Sequence, residues 1–296
     1  MTAVGKTRPG SGVKAFLRLV AIEHSVFALP FAHLSALAAM RHVGGGVRWV
    51  DLLLITVAMV GARTFAMAAN RIIDRRIDAQ NPRTAKRELV TGAVKVRTAW
   101  TGAVVALVVF LAAAALLNPL CLVLSPLAVV PLVVYPYGKR FTDWPHAILA
   151  LAQAVGPVGA WLAVTGTFEG SWPAWVLGAA VGLWIGGFDL IYACQDTTVD
   201  REIGVRSVPA RYGIPFALGL STVVHLVTFA LFIYYGELVG FGWLWWVGLA
   251  LTAVAFGYQH VVVTPTDLSR VNRAFFTANG FVGIALFAFA LLDFVA

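Results

Sequence analysis

The chain has 296 residues, of which 60% are hydrophobic and only 12% charged, and its mean hydropathy is +0.83. That is too apolar for a soluble α/β protein and points to a polytopic membrane protein. The net charge of +8 and pI near 9.9 would suit a nucleic-acid binder, but the basic residues lie in loops between apolar runs, where they mark the cytoplasmic side of a membrane.

A spanning helix needs about 20 mostly apolar residues. Nine are predicted, over 16–40, 49–70, 98–117, 119–136, 146–165, 173–195, 214–235, 242–263 and 274–295. Breakers separate them: Gly44–Gly46, Asn118-Pro119, Pro136, Gly166–Pro173, Gly236–Gly242 and Pro265. The first run follows a short basic tail, as a signal peptide would. It is longer than a signal's apolar core and carries Glu23, His24 and Pro30, so it reads as a retained helix. No linker interrupts the chain, and one helical domain over 1–296 is expected. Cys121 and Cys194 fall inside apolar segments and do not indicate a disulfide framework.

Orientation follows from counting charge. With the N-terminus inside, 19 of the 22 Lys and Arg fall at the cytoplasmic side, Arg41 and Arg48 fall outside, and Arg63 lies within a helix. The segment after the second span reads NRIIDRRIDAQNPRT and places Asn70, Asp74 and Asp78 at i, i+4 and i+8 on one helical face. The sixth span ends in FDLIYACQDTTVD, with Asp189, Tyr192, Asp196 and Asp200 spaced 3, 4 and 4 residues along one face. Both ladders end at the same membrane face. The long basic loops after them, about 71–97 and 196–213, are expected to fold as short helices over a cavity mouth.

Acids inside a bilayer cost about 2.5–3.5 kcal/mol each at a helix centre and are usually paired and functional. Asn70, Asp74, Asp78, Asp196 and Asp200 make a set that suits Mg2+, a hard ion that takes a few carboxylates and completes its shell with water and phosphate. Arg63, seven residues before Asn70, and Arg71, Arg83, Arg87 and Lys139 supply the cations that clamp a phosphate or diphosphate. An ion-coupled transporter is the rival reading. Transport sites lie near the bilayer midplane, though, and these acids gather at one end. A non-catalytic scaffold leaves both ladders unexplained. His146, His225 and His260 show no ligand spacing and read as structural, while His24 and His33 of the first span read equally as packing residues or as groups near a binding pocket. Trp243, Trp245 and Trp246 read as an interfacial anchor.

With these motifs the whole chain resembles the UbiA-superfamily intramembrane prenyltransferases. The family's NDxxDxxxD followed by RT is matched at Asn70, Asp74, Asp78, Arg83 and Thr84. Its DxxYxxxDxxxD is matched at Asp189, Tyr192, Asp196 and Asp200, with Gly204 and Ser207 following. Its YxxxK is matched at Tyr135 and Lys139. One position departs: Arg71 stands where the family has Asp, which removes a possible metal ligand and adds a cation. NRxxDxxxD resembles a branch grouped with 4-hydroxybenzoate polyprenyltransferases, which includes enzymes of a futalosine-derived menaquinone route.

The resemblance implies an all-α integral membrane fold of nine transmembrane helices around a central cavity with cytoplasmic cap loops. It implies Mg2+-dependent transfer of a polyprenyl group from polyprenyl diphosphate to an aromatic acid, 4-hydroxybenzoate or a dihydroxynaphthoate, through an allylic carbocation in quinone biosynthesis. A UbiA-type enzyme with a haem or chlorophyll-precursor acceptor is the first alternative. Asn70, Asp74, Asp78, Asp196 and Asp200 would hold the metal. Arg63, Arg71, Arg83, Tyr135 and Lys139 would bind the diphosphate. Asp189, Asp196 and Lys139 would be catalytic, one of the two carboxylates taking the acceptor's proton. Arg18, Glu23, His24 and Tyr192 would border the acceptor. The expected setting is the inner membrane, with the site facing the cytoplasm and neither nucleic acid nor an obligate protein partner.

Overall fold

The computed structural model describes residues 12–20 and 28–295. They form α1 (Gly12–Leu19), α2 (Leu29–His42), α3 (Trp49–Asp78), α4 (Glu88–Thr91), α5 (Val96–Leu117), α6 (Pro119–Phe141), α7 (Pro145–Thr165) and α8 (Trp172–Ala193). A 3-10 turn at Cys194–Asp196 leads into α9 (Thr197–Ile203), α10 (Val208–Tyr212), α11 (Ile214–Val239), α12 (Trp243–Val262) and α13 (Val271–Arg273). A π-helical turn at Ala274–Ala278 joins α13 to α14 (Asn279–Val295). Among the described residues the only β pairing is an isolated bridge between Thr264 and Asp267.

Among the described residues, seven helical segments are long and apolar enough to cross a membrane: Trp49–Asp78, Val96–Leu117, Pro119–Phe141, Pro145–Thr165, Trp172–Ile203, Ile214–Val239 and Val271–Val295. The protein is an all-helical integral membrane protein. Nine spans were expected, and the difference lies at two places. The segment 16–40 is not one described helix: α1 and α2 are separate, and 21–27 lie outside the described residues. The helix α12 is 20 residues long, but Trp243, Trp245, Trp246, Tyr258, Gln259 and His260 make it more polar than its neighbours.

Two helices run past their expected ends, and both extensions build the site. The helix α3 continues to Asp78, so the whole Asn70–Asp78 ladder is helical. The helix α6 continues to Phe141 with Pro126, Pro131 and Pro136 inside it, which puts Lys139 and Arg140 on its last turn. Spanning helices tolerate interior prolines because neighbouring groups satisfy the freed backbone carbonyls.

The buried centre is α8. Its Gly178, Gly182 and Gly186 lie one turn apart against α7: a Cβ at Gly178 would stand 2.6 Å from the Ala154 carbonyl oxygen, and one at Gly182 would collide with that of Ala150. Small residues let two backbones approach this closely where helix association in lipid depends on packing. On its other side Trp184 is fully buried, its ring edge-on to Phe31 and Phe188 and its Nε1–H donating to Asn279 Oδ1 at 3.0 Å. Leu53, Val104, Val123, Leu127, Val254 and Ile284 face outward, as an apolar solvent permits. Of the three tryptophans read as an anchor, Trp243 is exposed, but Trp245 is fully buried and stacked on Phe241, because α12 turns that face inward. His33 bonds Thr56 (2.9 Å) and His225 bonds His260 (2.8 Å), as packing residues should.

Candidate active site

A cavity of about 180 Å³ lies where one end each of α3, α6, α7 and α8 meets α9 and the segments 79–87 and 204–207. Asn70, Asp74 and Asp78 line it from α3, Tyr135 and Lys139 from α6, His146 from α7, and Asp189, Tyr192, Asp196 and Asp200 from the second ladder. Asn81, Arg83, Thr84 and Arg87 close it from the loop after α3, and Arg206 and Ser207 from the loop after α9. The two ladders, more than 100 residues apart in sequence, thus share one chamber. The short helices α4, α9 and α10 lie in the two long basic loops, where they were expected.

The second ladder is not one unbroken helix. The backbone tightens to a 3-10 turn at Cys194–Asp196 before α9 resumes. Thr197 satisfies the turn by donating its hydroxyl to the Cys194 carbonyl (2.9 Å). Gly204 ends α9 with φ +73°, a left-handed conformation that suits glycine at a helix end. Beyond it Ser207 caps α10 through Ala210 N–H and donates its hydroxyl to Asp200 Oδ2 at 3.1 Å. Family-like Gly204 and Ser207 therefore have local physical reasons.

Charge is matched closely. Asp74, 1% exposed, accepts from Lys139 Nζ at 2.6 Å and Arg140 Nη1 at 3.0 Å. Asp78, 4% exposed, pairs with Arg87 Nη1 at 2.6 Å. Asp196 pairs with Arg83 and also accepts from Asn81 Nδ2 at 2.8 Å. Arg83 donates to the Tyr192 hydroxyl at 2.9 Å, with its guanidinium carbon 5.0 Å from that ring's centre. Partial burial works to lower the Arg83 pKa, but hydrogen bonds to Asp196 reverse this and leave it raised. Asp189 accepts from His146 Nδ1 at 2.6 Å.

The oxygen donors fit a hard divalent cation in type: Asp74, Asp78, Asp196, Asp200 and the side-chain amide of Asn70 line one chamber. Among the described residues, no three acidic, histidine or cysteine side chains converge tightly enough to form a metal centre alone. Bound waters and a phosphate-bearing substrate would have to complete any coordination shell, which is how magnesium is usually held.

Not every expected residue reaches the cavity. Arg63 and Arg71 do not line it. Arg71 sits one residue past Asn70, about 100° around the helix, and donates instead to the Leu19 carbonyl (3.2 Å), tying α3 to α1. Arg63 lies about two turns deeper along α3 than Asn70. Arg18 is exposed on α1 and does not line the cavity either, and Glu23 and His24 lie outside the described residues. Conversely, Asn81, Arg140 and His146 belong to the site although sequence spacing did not select them. His146 was read as structural, yet its position directly after Pro145, at the same membrane end as both ladders, was an available signal.

The UbiA prenyltransferase family matches residues 28–281. The chain belongs to the UbiA prenyltransferase family. It is 34% identical over 252 residues to the 4-hydroxybenzoate octaprenyltransferase of Nitrosospira multiformis, covering 84% of this chain and 85% of that protein. It is 33% identical over 251 residues to the 4-hydroxybenzoate solanesyltransferase of a Synechocystis species, covering 82% and 83%. An apo UbiA homologue from Aeropyrum pernix is 37% identical with a TM-score of 0.84, covering 92% of this chain and 98% of that one. A UbiA homologue from Archaeoglobus fulgidus, solved with GPP and Mg2+, shares the fold at 20% identity and a TM-score of 0.71, covering 95% and 100%. The cavity of this UbiA-family chain is lined by both aspartate ladders and the Tyr135–Lys139 pair, together with residues such as Asn81, Arg87, His146 and Arg206.

Proposed function

We propose that this protein is a magnesium-dependent polyprenyltransferase that moves a polyprenyl group from polyprenyl diphosphate to an aromatic acid, 4-hydroxybenzoate or a dihydroxynaphthoate. The observation that carries the reading is the shared chamber: two acidic ladders opposed across about 180 Å³ and ringed by Lys139, Arg83 and Arg87. The named 4-hydroxybenzoate prenyltransferases among the relatives support the acceptor class, and the Archaeoglobus homologue holding GPP and Mg2+ supports the donor and metal.

Asn70, Asp74 and Asp78 on one side and Asp196 and Asp200 on the other would hold magnesium. When bound, the metal offsets the diphosphate's charge and favours breaking of the bond to the prenyl carbon. Lys139 and Arg83 add counter-charge to the departing diphosphate, and the Tyr135 hydroxyl lines the same wall. The allylic cation left behind is attacked by an electron-rich ring carbon, and the proton lost from the acceptor passes to the second ladder, at Asp189 or Asp196. The chamber's dense charge shields this chemistry within an otherwise apolar bundle, and Tyr192 borders the acceptor. The bias of 19 basic residues to one side supports a cytoplasm-facing site in the inner membrane.

The test is purified protein in detergent with octaprenyl diphosphate, Mg2+ and a panel of 4-hydroxybenzoate and two dihydroxynaphthoates. One acceptor should yield prenylated product with equimolar diphosphate. No product from any of them, or product only from a haem or chlorophyll precursor, would overturn the assignment.

A further inference from the structure

His146 stands on the first turn of α7, and its place is built rather than incidental. The end of α6 is packed on the start of α7, where a Cβ on Gly138 would meet Pro145 Cβ at 3.3 Å. A Cβ on Gly186 would stand 3.2 Å from the His146 carbonyl oxygen, so α7 and α8 are in backbone contact at this level. Asp189 follows Gly186 by three residues on the same helical face, and there its Oδ2 meets His146 Nδ1 at 2.6 Å.

With Nδ1 engaged by Asp189 Oδ2, the ring's other nitrogen, Nε2, is left to face the cavity, and as the acceptor nitrogen of the Nδ1–H tautomer it can take a proton. That nitrogen is buried and has no hydrogen-bond partner among the described residues, although the ring lines the cavity. A buried polar atom without a partner is costly, and a ligand hydroxyl would remove that cost. The charged and titratable groups that share the cavity with His146 are Asp74 and Asp78 of α3, Arg83 and Arg87 of the loop after it, Tyr135 and Lys139 of α6, Asp189 and Tyr192 of α8, and Asp196, Asp200 and Arg206 beyond it.

We propose that His146, oriented by Asp189, is the base for the acceptor's ring hydroxyl, and that the aromatic ring sits on the α7–α8 wall of the chamber. The inference rests on the prenyltransferase reading and assigns its proton transfer. His146 Nε2 takes the hydroxyl proton, and the ring carbon beside the resulting oxyanion forms the bond to the prenyl carbon as diphosphate leaves with its electron pair. The ring carbon then loses its hydrogen as a proton to the second ladder and from there to water, and the imidazolium returns its proton to the oxygen. One proton and one diphosphate are released per turnover. Asp189 is a positioning residue that fixes the tautomer, in the manner of an aspartate behind a catalytic histidine.

The experiment compares wild type, His146→Gln and Asp189→Asn for kcat and for KM of each substrate across about pH 5.5–9. Wild type should lose activity on the acid side. His146→Gln should lower kcat about a hundredfold at neutral pH, leave KM for the prenyl diphosphate unchanged, and regain rate as pH rises and the acceptor ionises unaided. Asp189→Asn should erase the same acid limb. A His146→Gln variant with wild-type kcat and acid limb overturns the inference, and so does loss in Asp189→Asn alone, which would make the carboxylate the direct base. Should a His146→Gln variant fail to bind a magnesium–prenyl diphosphate analogue, the histidine is structural and the inference also falls. Wild type that prenylates no aromatic acid is a separate result: it removes the functional reading, and this inference with it.

Discussion

The two acidic ladders share a spacing pattern but not a chemistry. The first runs along an uninterrupted α3 and answers to cations: Lys139 and Arg140 hold Asp74, and Arg87 holds Asp78. The second passes through a 3-10 turn and meets four kinds of partner: His146 at Asp189, Arg83 at Tyr192, Arg83 with Asn81 at Asp196, and Ser207 at Asp200. A carboxylate paired with fixed positive charge suits holding metal or offsetting phosphate. One facing a histidine or hydroxyl can take part in moving a proton. On the proposed function the first ladder serves as a charge clamp, and the second combines a clamp with a proton route.

The largest expected effect comes from breaking each clamp. Asp74→Ala and Asp196→Ala should each reduce diphosphate release by at least about a hundredfold, while size-exclusion profiles in detergent stay monodisperse. Near-normal turnover in both would place the site elsewhere. The next effect separates the supports of the two ladders. A Cβ at Gly182 runs into the Ala150 carbonyl on rigid α7, whereas one at Gly61 of α3 stands 3.0 Å from the Ala106 carbonyl of α5. Gly182→Ala should therefore destabilise by about 1–3 kcal/mol, and its loss of thermal stability in detergent should exceed that of Gly61→Ala. An equal loss would show that the α7–α8 seam yields as readily as α3–α5. The smallest effect belongs to Ser207→Ala, which removes one hydrogen bond to Asp200 and should cost about 1 kcal/mol. Turnover should fall only a few-fold. A loss as large as that of Asp196→Ala would mean Ser207 touches substrate.

Local periodicity made much of this molecule readable. Apolar runs located seven helices that can span a membrane, and the 3.6-residue repeat put Asn70, Asp74 and Asp78 on one face. What it could not show is non-local or turn-borne. Nothing in Ala193-Cys194-Gln195 is a glycine or proline, so the 3-10 turn left no mark in sequence. Asn81 and His146 reach the chamber from different segments, and Arg140 pairs with Asp74 from a third; only folding brings them together. Arg63 and Arg71 show the opposite error. Nearness along the chain made them candidates, but depth in one case and helical angle in the other keep them off the cavity. Lys139 was legible by its motif, although Pro136 wrongly ended its helix in the sequence reading.

The central claim is that both ladders grip one diphosphate through magnesium. It is tested most directly by the affinity of a non-reactive geranyl thiolodiphosphate for wild type, Asp74→Ala and Asp196→Ala, each with Mg2+ and with EDTA. The account predicts binding in wild type that EDTA abolishes and that either substitution weakens by at least about a hundredfold. Binding that survives EDTA, or that depends on one ladder and ignores the other, would contradict it.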